Sequence, residues 1–165
     1  MAAGDQGVTM DRYRLVPRTA IFVRDGDSFL LLRGSADKKL WPGKYNGVGG
    51  HIERGEDVLR SAHREFHEET GLKAKLWLCG TVLVDAGDTG VGLYVFTGEV
   101  IGGTRRDSAE GTLEWVPLDA IPSLPTVEDV PQLTARIHAM QPGDAPFAAR
   151  SYYDASGRLR FEFSN

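Results

Sequence analysis

The stretch from Gly50 to Leu72, GHIERGEDVLRSAHREFHEETGL, constrains the fold more than any other. Val58, Leu59, Ala62 and Phe66 recur at helical spacing and make one apolar stripe. Asp57 suits an N-cap or first-turn acid and Gly71 a C-terminal stop, so the helix between them should run for about three to four turns. Strand-like runs flank it on both sides. Before it, RTAIFVRDGDSFLLLRG is two apolar runs joined at Asp25-Gly26-Asp27, the pattern of a β-hairpin. After it, KAKLWLCGTVLV and GLYVFTGEV have good β-propensity, with DAGDTG between them, and TLEWVPL follows. TVEDVPQLTARIHAM reads as a second helix with Val130, Leu133, Ile137 and Met140 on one stripe. RSYYDASGRLRFEF reads as a terminal hairpin turning at Ser156-Gly157. Many strands with two amphipathic helices imply an α+β chain, a mixed sheet with helices packed on it.

Two segments stand apart from this pattern. SADKKLWPGKY is a polar loop with Pro42-Gly43 as its turn signal. NGVGGHI could begin as a strand, but its three glycines imply irregular backbone or close approach to a ligand. There is no internal repeat and no linker, so residues 1–165 are expected to form a single domain, with 1–12 as a flexible arm. The net charge of −4 argues against non-specific binding to nucleic acid or an anionic membrane. It leaves room for a small anionic substrate, because a metal ion can supply positive charge locally. Cys79 is the only cysteine, so no internal disulfide can form, which suits a reducing compartment. The N-terminus has no apolar core of signal-peptide length, and no run approaches the roughly 18 apolar residues of a membrane span. A cytoplasmic protein is expected, as a monomer or homodimer.

The helix carries an acidic cluster. Glu65, Glu68 and Glu69 are related by i,i+3 and i,i+4 steps and project from one side. On a helical wheel this arc abuts the apolar stripe, while Arg60, His63 and His67 lie opposite. A solvated acidic face is the ordinary explanation of such a run. It would sit away from the core and alternate in sign, and here it does neither. A divalent cation would relieve the repulsion, and oxygen-only ligands select a hard ion such as Mg²⁺ or Mn²⁺. His63 and His67 have the spacing of zinc ligands, but HREFH lacks the glutamate that must follow the first histidine, so both are read as surface residues. Gly47, Gly49 and Gly50 complete no dinucleotide-binding loop. Trp41, Trp77 and Trp115 are core or base-stacking residues, and Cys79 a buried small one.

Gly50, Glu56, Arg64-Glu65, the apolar Phe66, Glu68-Glu69, Gly71 and the apolar Leu72 match the Nudix box at every defined position. The chain resembles a Nudix hydrolase of the MutT type. LWPGKYNGVGG resembles the loop and strand that lead into the box, and EWVPLDAIPSLP the strand and turn that follow the sheet. The resemblance implies an α/β/α sandwich with a central mixed sheet. It implies hydrolysis of a nucleoside diphosphate linked to another group X, with Mg²⁺ or Mn²⁺ as cofactor. By position, Glu65, Glu68 and Glu69 resemble the metal ligands, with the carbonyl of Gly49 and a later acid, here Glu110, completing the set. Glu65, Glu68 and Arg64 are the catalytic candidates. Arg64 resembles the residue that pairs with the Glu56 equivalent and orients the helix, and Gly50, Glu56 and Gly71 are structural positions of the box.

The box does not encode X. Asn46 in KYNGVGG resembles the base-reading asparagine of the hydrolases that remove oxidised purine nucleoside triphosphates, with Tyr45 where that branch carries tryptophan. Glu128 and Asp129 fall where the same enzymes use acids at the second helix, and the terminal hairpin resembles their tail. Arg33 joins Asn46, Glu128 and Asp129 as a substrate-binding candidate. The expected substrate is thus a purine nucleoside triphosphate, of the 8-oxo-dGTP kind, cleaved to monophosphate and diphosphate. ADP-ribose and dinucleoside polyphosphates are the alternatives within the family. A binding module that hydrolyses nothing is the alternative of another class, weighed against by the complete set of box carboxylates.

Overall fold

Only Gly26 and Asp27 separate the first two strands, β1 (Arg14–Asp25) and β2 (Ser28–Gly34). The hairpin opens at once. Arg24 and Asp25 pair with Phe29 and Ser28, after which β1 runs parallel to β5 (Thr89–Gly103) and β2 antiparallel to β6 (Gly111–Pro117). The computed structural model describes residues 3–164. Its remaining elements are β3 (Tyr45–Asn46), α1 (Val58–Thr70), β4 (Leu72–Val84), α2 (Val130–His138), β7 (Phe147–Tyr153) and β8 (Leu159–Phe163). The strand order is β3-β2-β1-β5-β4-β7-β8, with β6 also paired to β2. β1 with β5 and β4 with β7 are parallel and the other pairs antiparallel, so the sheet is mixed.

Two cores lie on opposite faces of this sheet, and the pleat assigns residues to them. Ile21 and Val23 of β1, with Leu30 and Leu32 of β2, face α1 through its Ala62 and Phe66. The alternate residues, Phe22, Phe29 and Leu31, face α2 through Val130, Leu133 and Ile137. The architecture is an α/β/α sandwich. Cys79 is buried in a bulge of β4 with its thiol on the Val95 carbonyl, and burial pushes that thiol up to about 12.

The caps of α1 follow the sequence. Asp57 accepts from the Arg60 N–H at 2.8 Å, and Gly71 takes the left-handed conformation at φ 72° while donating to the His67 carbonyl. The stripe differs in one position. Leu59 is 42% exposed, and the small polar residues Ser61 and Thr70 are buried instead. The second helix is shorter than its periodicity suggests, beginning at Val130 rather than Thr126. Pro131 explains this, because proline is tolerated only in a first turn. Residues 125–127 lie along β3 instead: Tyr45 donates to the Pro125 carbonyl at 2.9 Å and Val127 to the Tyr45 carbonyl at 3.0 Å. Met140 lies beyond α2 yet is buried. Of the expected arm, Met1 and Ala2 are outside the described residues, and the remainder holds a short 3-10 turn at Ala3–Gln6. No helix among the described residues is long and apolar enough to cross a membrane.

Candidate active site

The segment leading into α1 is clamped to β1. Thr19 donates to the Gly50 carbonyl at 2.8 Å, Ile21 to that of Val48 at 2.7 Å, and Ile52 to that of Pro17 at 3.1 Å. The alternation leaves Gly49 between these bonds, with its N–H near enough to the Glu69 carboxyl to favour the charged form. Both glycines here are sterically required. Gly49 sits at φ 149°, and a Cβ there would lie 2.2 Å from the Thr19 carbonyl oxygen. A Cβ on Gly50 would lie 2.6 Å from the Glu65 carboxylate. A side chain at Gly49 would push the segment off β1, and one at Gly50 would push it off the Glu65 carboxylate.

Arg64 is the hub of those acids. Its Nε and Nη2 hold the two oxygens of Glu56 at 2.6 and 2.9 Å, a bidentate pair across the start of the helix. Its Nη1 reaches Glu65 at 2.8 Å and Glu68 at 3.2 Å, and Nη2 also reaches the His51 carbonyl at 3.1 Å. The Arg64 guanidinium beside Glu56 holds that carboxyl down to about 2. The partnered acids raise Arg64 in turn. The three helix acids occupy graded environments. The Glu68 side chain is 58% exposed, while that of Glu65, against Gly50, is 14% exposed. Glu69 lies beside Gly49, and burial, with the Glu65 charge second, pushes it up to about 7. Its Oε2 is buried without a partner.

Among the described residues, no three acid, histidine or cysteine side chains already converge as a metal cluster. The donors present nonetheless fit a hard divalent cation. Glu65 and Glu69 are close enough for their charges to be felt, one oxygen of Glu69 lacks any partner, and the Gly49 backbone lies beside it. Glu68 is turned toward Arg64. Glu110 is ion-paired with Lys38 at 2.7 Å, and its charge is also felt at Glu69.

Two clefts open beside these acids. The smaller, about 60 Å³, is lined by Glu69, Gly49, Arg18, Lys38, Lys44 and Trp41. The larger, about 170 Å³, is lined by Asn46, Glu128, Asp129, Phe22 and Leu133 and shares Arg18 and Trp41 with the first. The pairing of residues 125–127 with β3 is what brings Glu128 and Asp129 to Asn46. Asp129 stands at the N-cap of α2 but makes no side-chain capping bond. Burial raises its carboxyl above the usual range, with the Glu128 charge adding to the effect. Asn46 Oδ1 accepts from the Gly47 N–H at 2.8 Å, which leaves its amide N–H groups as donors. Trp41, 41% exposed, holds a left-handed backbone at φ 52°, the kind of strain that collects at ligand sites.

One candidate, Arg33, falls elsewhere. Arg33 lines neither cleft; its guanidinium lies over the Tyr45 ring at 5.7 Å. Residues alternate across the pleat, so Arg33 and its partner Tyr45 face away from Leu32 and Asn46. Tyr45 is buried and donates to Glu114 at 2.9 Å, so it offers no stacking surface. Sequence reasoning passed over Arg18, Lys38 and Lys44. The lysines were visible in the polar loop before the glycines, and Arg18 as the cation just before the apolar run of β1.

Comparison with known proteins accords with this geometry. The family model described as NUDIX domain matches residues 14–137. The chain is similar to the NAD-capped RNA hydrolase NudC of Chromobacterium violaceum, 32% identical over 123 residues, which are 68% of this chain and 42% of that protein. It is similar to the oxidized purine nucleoside triphosphate hydrolase of Mus musculus, 30% identical over 96 residues, which are 56% of this chain and 61% of that one. The chain therefore spans less than two thirds of the length of either relative. The crystal structure of the mutator MutT protein from Bacillus halodurans superposes with a TM-score of 0.76 at 26% identity, over 90% of this chain and 97% of that one. With the family match running from β1 through most of α2, and with the acids of α1 placed as described, this chain belongs to the NUDIX domain family.

Proposed function

We propose that the chain is a divalent-metal-dependent pyrophosphohydrolase acting on a purine nucleoside triphosphate, including oxidised forms, and releasing the monophosphate and diphosphate. The observation that carries this reading is the shared wall of the two clefts. A mainly apolar pocket that carries Asn46 and Asp129 shares Arg18, Trp41 and Gly49 with a cation-lined one that includes Glu69. A base in the first pocket places its phosphates in the second.

The residues divide the work. A bound Mg²⁺ or Mn²⁺, held by Glu65, Glu69 and the Gly49 carbonyl, would neutralise phosphate charge and ease deprotonation of the attacking water. Arg64, anchored on Glu56, fixes the Glu65 carboxylate where it can take that proton. Glu68 makes the longest of the Arg64–carboxylate contacts, at 3.2 Å, and adds negative charge that a bound cation would offset. Lys38 and Lys44 stabilise the developing negative charge on the phosphoryl oxygens, the largest contribution in this kind of transfer. Asn46 supplies donors to the purine edge, and Asp129, its carboxyl raised by burial, can accept or, when protonated, donate. Trp41 covers the mouth as a stacking face.

The similarity to an NAD-capped RNA hydrolase favours one competing substrate, a dinucleotide diphosphate such as NAD. Product analysis tests the reading. With dGTP and Mg²⁺, dGMP and diphosphate are expected, and chelation should stop their release. Release of orthophosphate, or turnover that survives chelation, would contradict it.

A further inference from the structure

Among the described residues, two buried side-chain atoms have no hydrogen-bond partner, Nε of Arg18 and Oε2 of Glu69. Buried polar groups are as a rule paired, so each such atom calls for a cause. These two carry opposite charge and line the same cleft of about 60 Å³, yet neither atom uses the other. A cleft that keeps a cation and an anion apart and unsatisfied is complementary to a ligand that brings both signs, such as a phosphate with its counter-cation. Glu69 faces the counter-cation in the reading above. Arg18 is left for the phosphate.

Its position narrows which phosphate. Arg18 lines the larger cleft as well, among Asn46, Glu128 and Asp129, so it stands where the two clefts join. The other two cations of the smaller cleft, Lys38 and Lys44, do not line the larger one, and Lys38 is engaged by Glu110 at 2.7 Å. Arg18 belongs to β1, bridged on one side to His51 and paired on the other with Leu93. A donor on a strand held from both sides is better pre-organised than one on a loop. An arginine also presents its donors in a fixed plane that matches phosphate oxygens.

We infer that Arg18 receives an oxygen of the phosphate nearest the nucleoside, and that this contact is how the site selects a nucleotide over a nucleoside. The inference rests on the nucleotide reading above and adds a positioning residue to it.

The test is binding without metal, in EDTA, so that the acids of α1 take no part. Deoxyguanosine and dGMP are titrated into the parent, Arg18→Met and Arg18→Lys. The parent should bind dGMP more tightly than deoxyguanosine. In Arg18→Met that preference should fall about 10- to 100-fold, the range for loss of a charge-assisted hydrogen bond. Arg18→Lys should fall between, and deoxyguanosine affinity and Tm should not move. An unchanged preference in Arg18→Met overturns the inference. So does an equal loss for both ligands, which would make Arg18 a merely structural residue. If Arg18→Met does not fold, Arg18→Lys gives the same comparison with a smaller drop. Should the parent bind neither purine ligand, the purine reading of the larger cleft fails. Arg18 is then decided by inorganic diphosphate with Mg²⁺, where weaker binding to Arg18→Met supports the inference and equal binding overturns it.

Discussion

Arg64 joins more of the candidate site than any other side chain, holding Glu56 by two bonds and Glu65 and Glu68 by one each. Arg64→Lys keeps the charge but loses the planar grip. It should lower kcat/KM by about 10- to 100-fold, the scale of one or two charged hydrogen bonds, with Mg²⁺ dependence retained. Steady-state kinetics against metal concentration checks this. The Glu56 carboxyl gives an independent reading. Its pKa is depressed in the folded state, to about 2. The stability it contributes is therefore present above its unfolded pKa, about 4.3, and is lost as pH falls toward about 2. An NMR titration of the Glu56 carboxyl should find its midpoint near the lower end in the parent and back near the upper end in Arg64→Met. A midpoint near 4 in the parent would break the account of the pair. The chemistry is tested by Glu65→Gln and Glu69→Gln, each expected to lower kcat by about 10²–10⁴-fold while the protein stays folded. The Arg64–Glu56 contact was legible in the sequence through the resemblance to the Nudix box, whose spacing both residues keep. The cleft-lining part of Arg18 was not, because it depends on where the loop of Lys38 and Trp41 comes to rest against a strand made elsewhere in the chain.

At the scale of elements, α1 is held by few side chains, and they differ sharply in burial. Phe66 is fully enclosed between the helix and the sheet, whereas Leu59 is 42% exposed. Phe66→Ala should cost about 3–5 kcal/mol of stability, while Leu59→Ala should stay near about 0.5 kcal/mol. Denaturant unfolding of the two variants checks the contrast, and equal costs would mean that α1 docks differently. Asp57→Ala should cost about 1 kcal/mol through loss of the N-cap. Period and caps made this helix readable from sequence. The start of α2 was missed because its apolar spacing continues upstream of Pro131, and spacing carries no information on which residues lend their backbone to β3 instead. That displacement matters for the site, since it leaves the Asp129 carboxyl free of the helix and in the cleft. Arg33 was misplaced for a related reason. Its strand was readable, but the register that puts it opposite Tyr45 on the other face was not.

At the scale of the molecule, the sheet separates two cores, and the site forms where β1 and β3 meet the acids of α1 and the start of α2. In the proposed reading each helix contributes one end of the substrate path, with base recognition and phosphate chemistry in different layers joined by β1. Changes in the larger cleft should therefore move substrate preference while leaving metal dependence alone. The measurement that tests the central claim most directly is the ratio of kcat/KM for 8-oxo-dGTP to that for ADP-ribose, with Mg²⁺, in the parent and in Asn46→Ala. Stranding a buried polar partner costs about 1–3 kcal/mol, which corresponds to about 5- to 150-fold in such a ratio. The account predicts a ratio well above one in the parent and a fall of that size in Asn46→Ala, chiefly through KM. A parent that prefers ADP-ribose, or a ratio unmoved by the substitution, would contradict it.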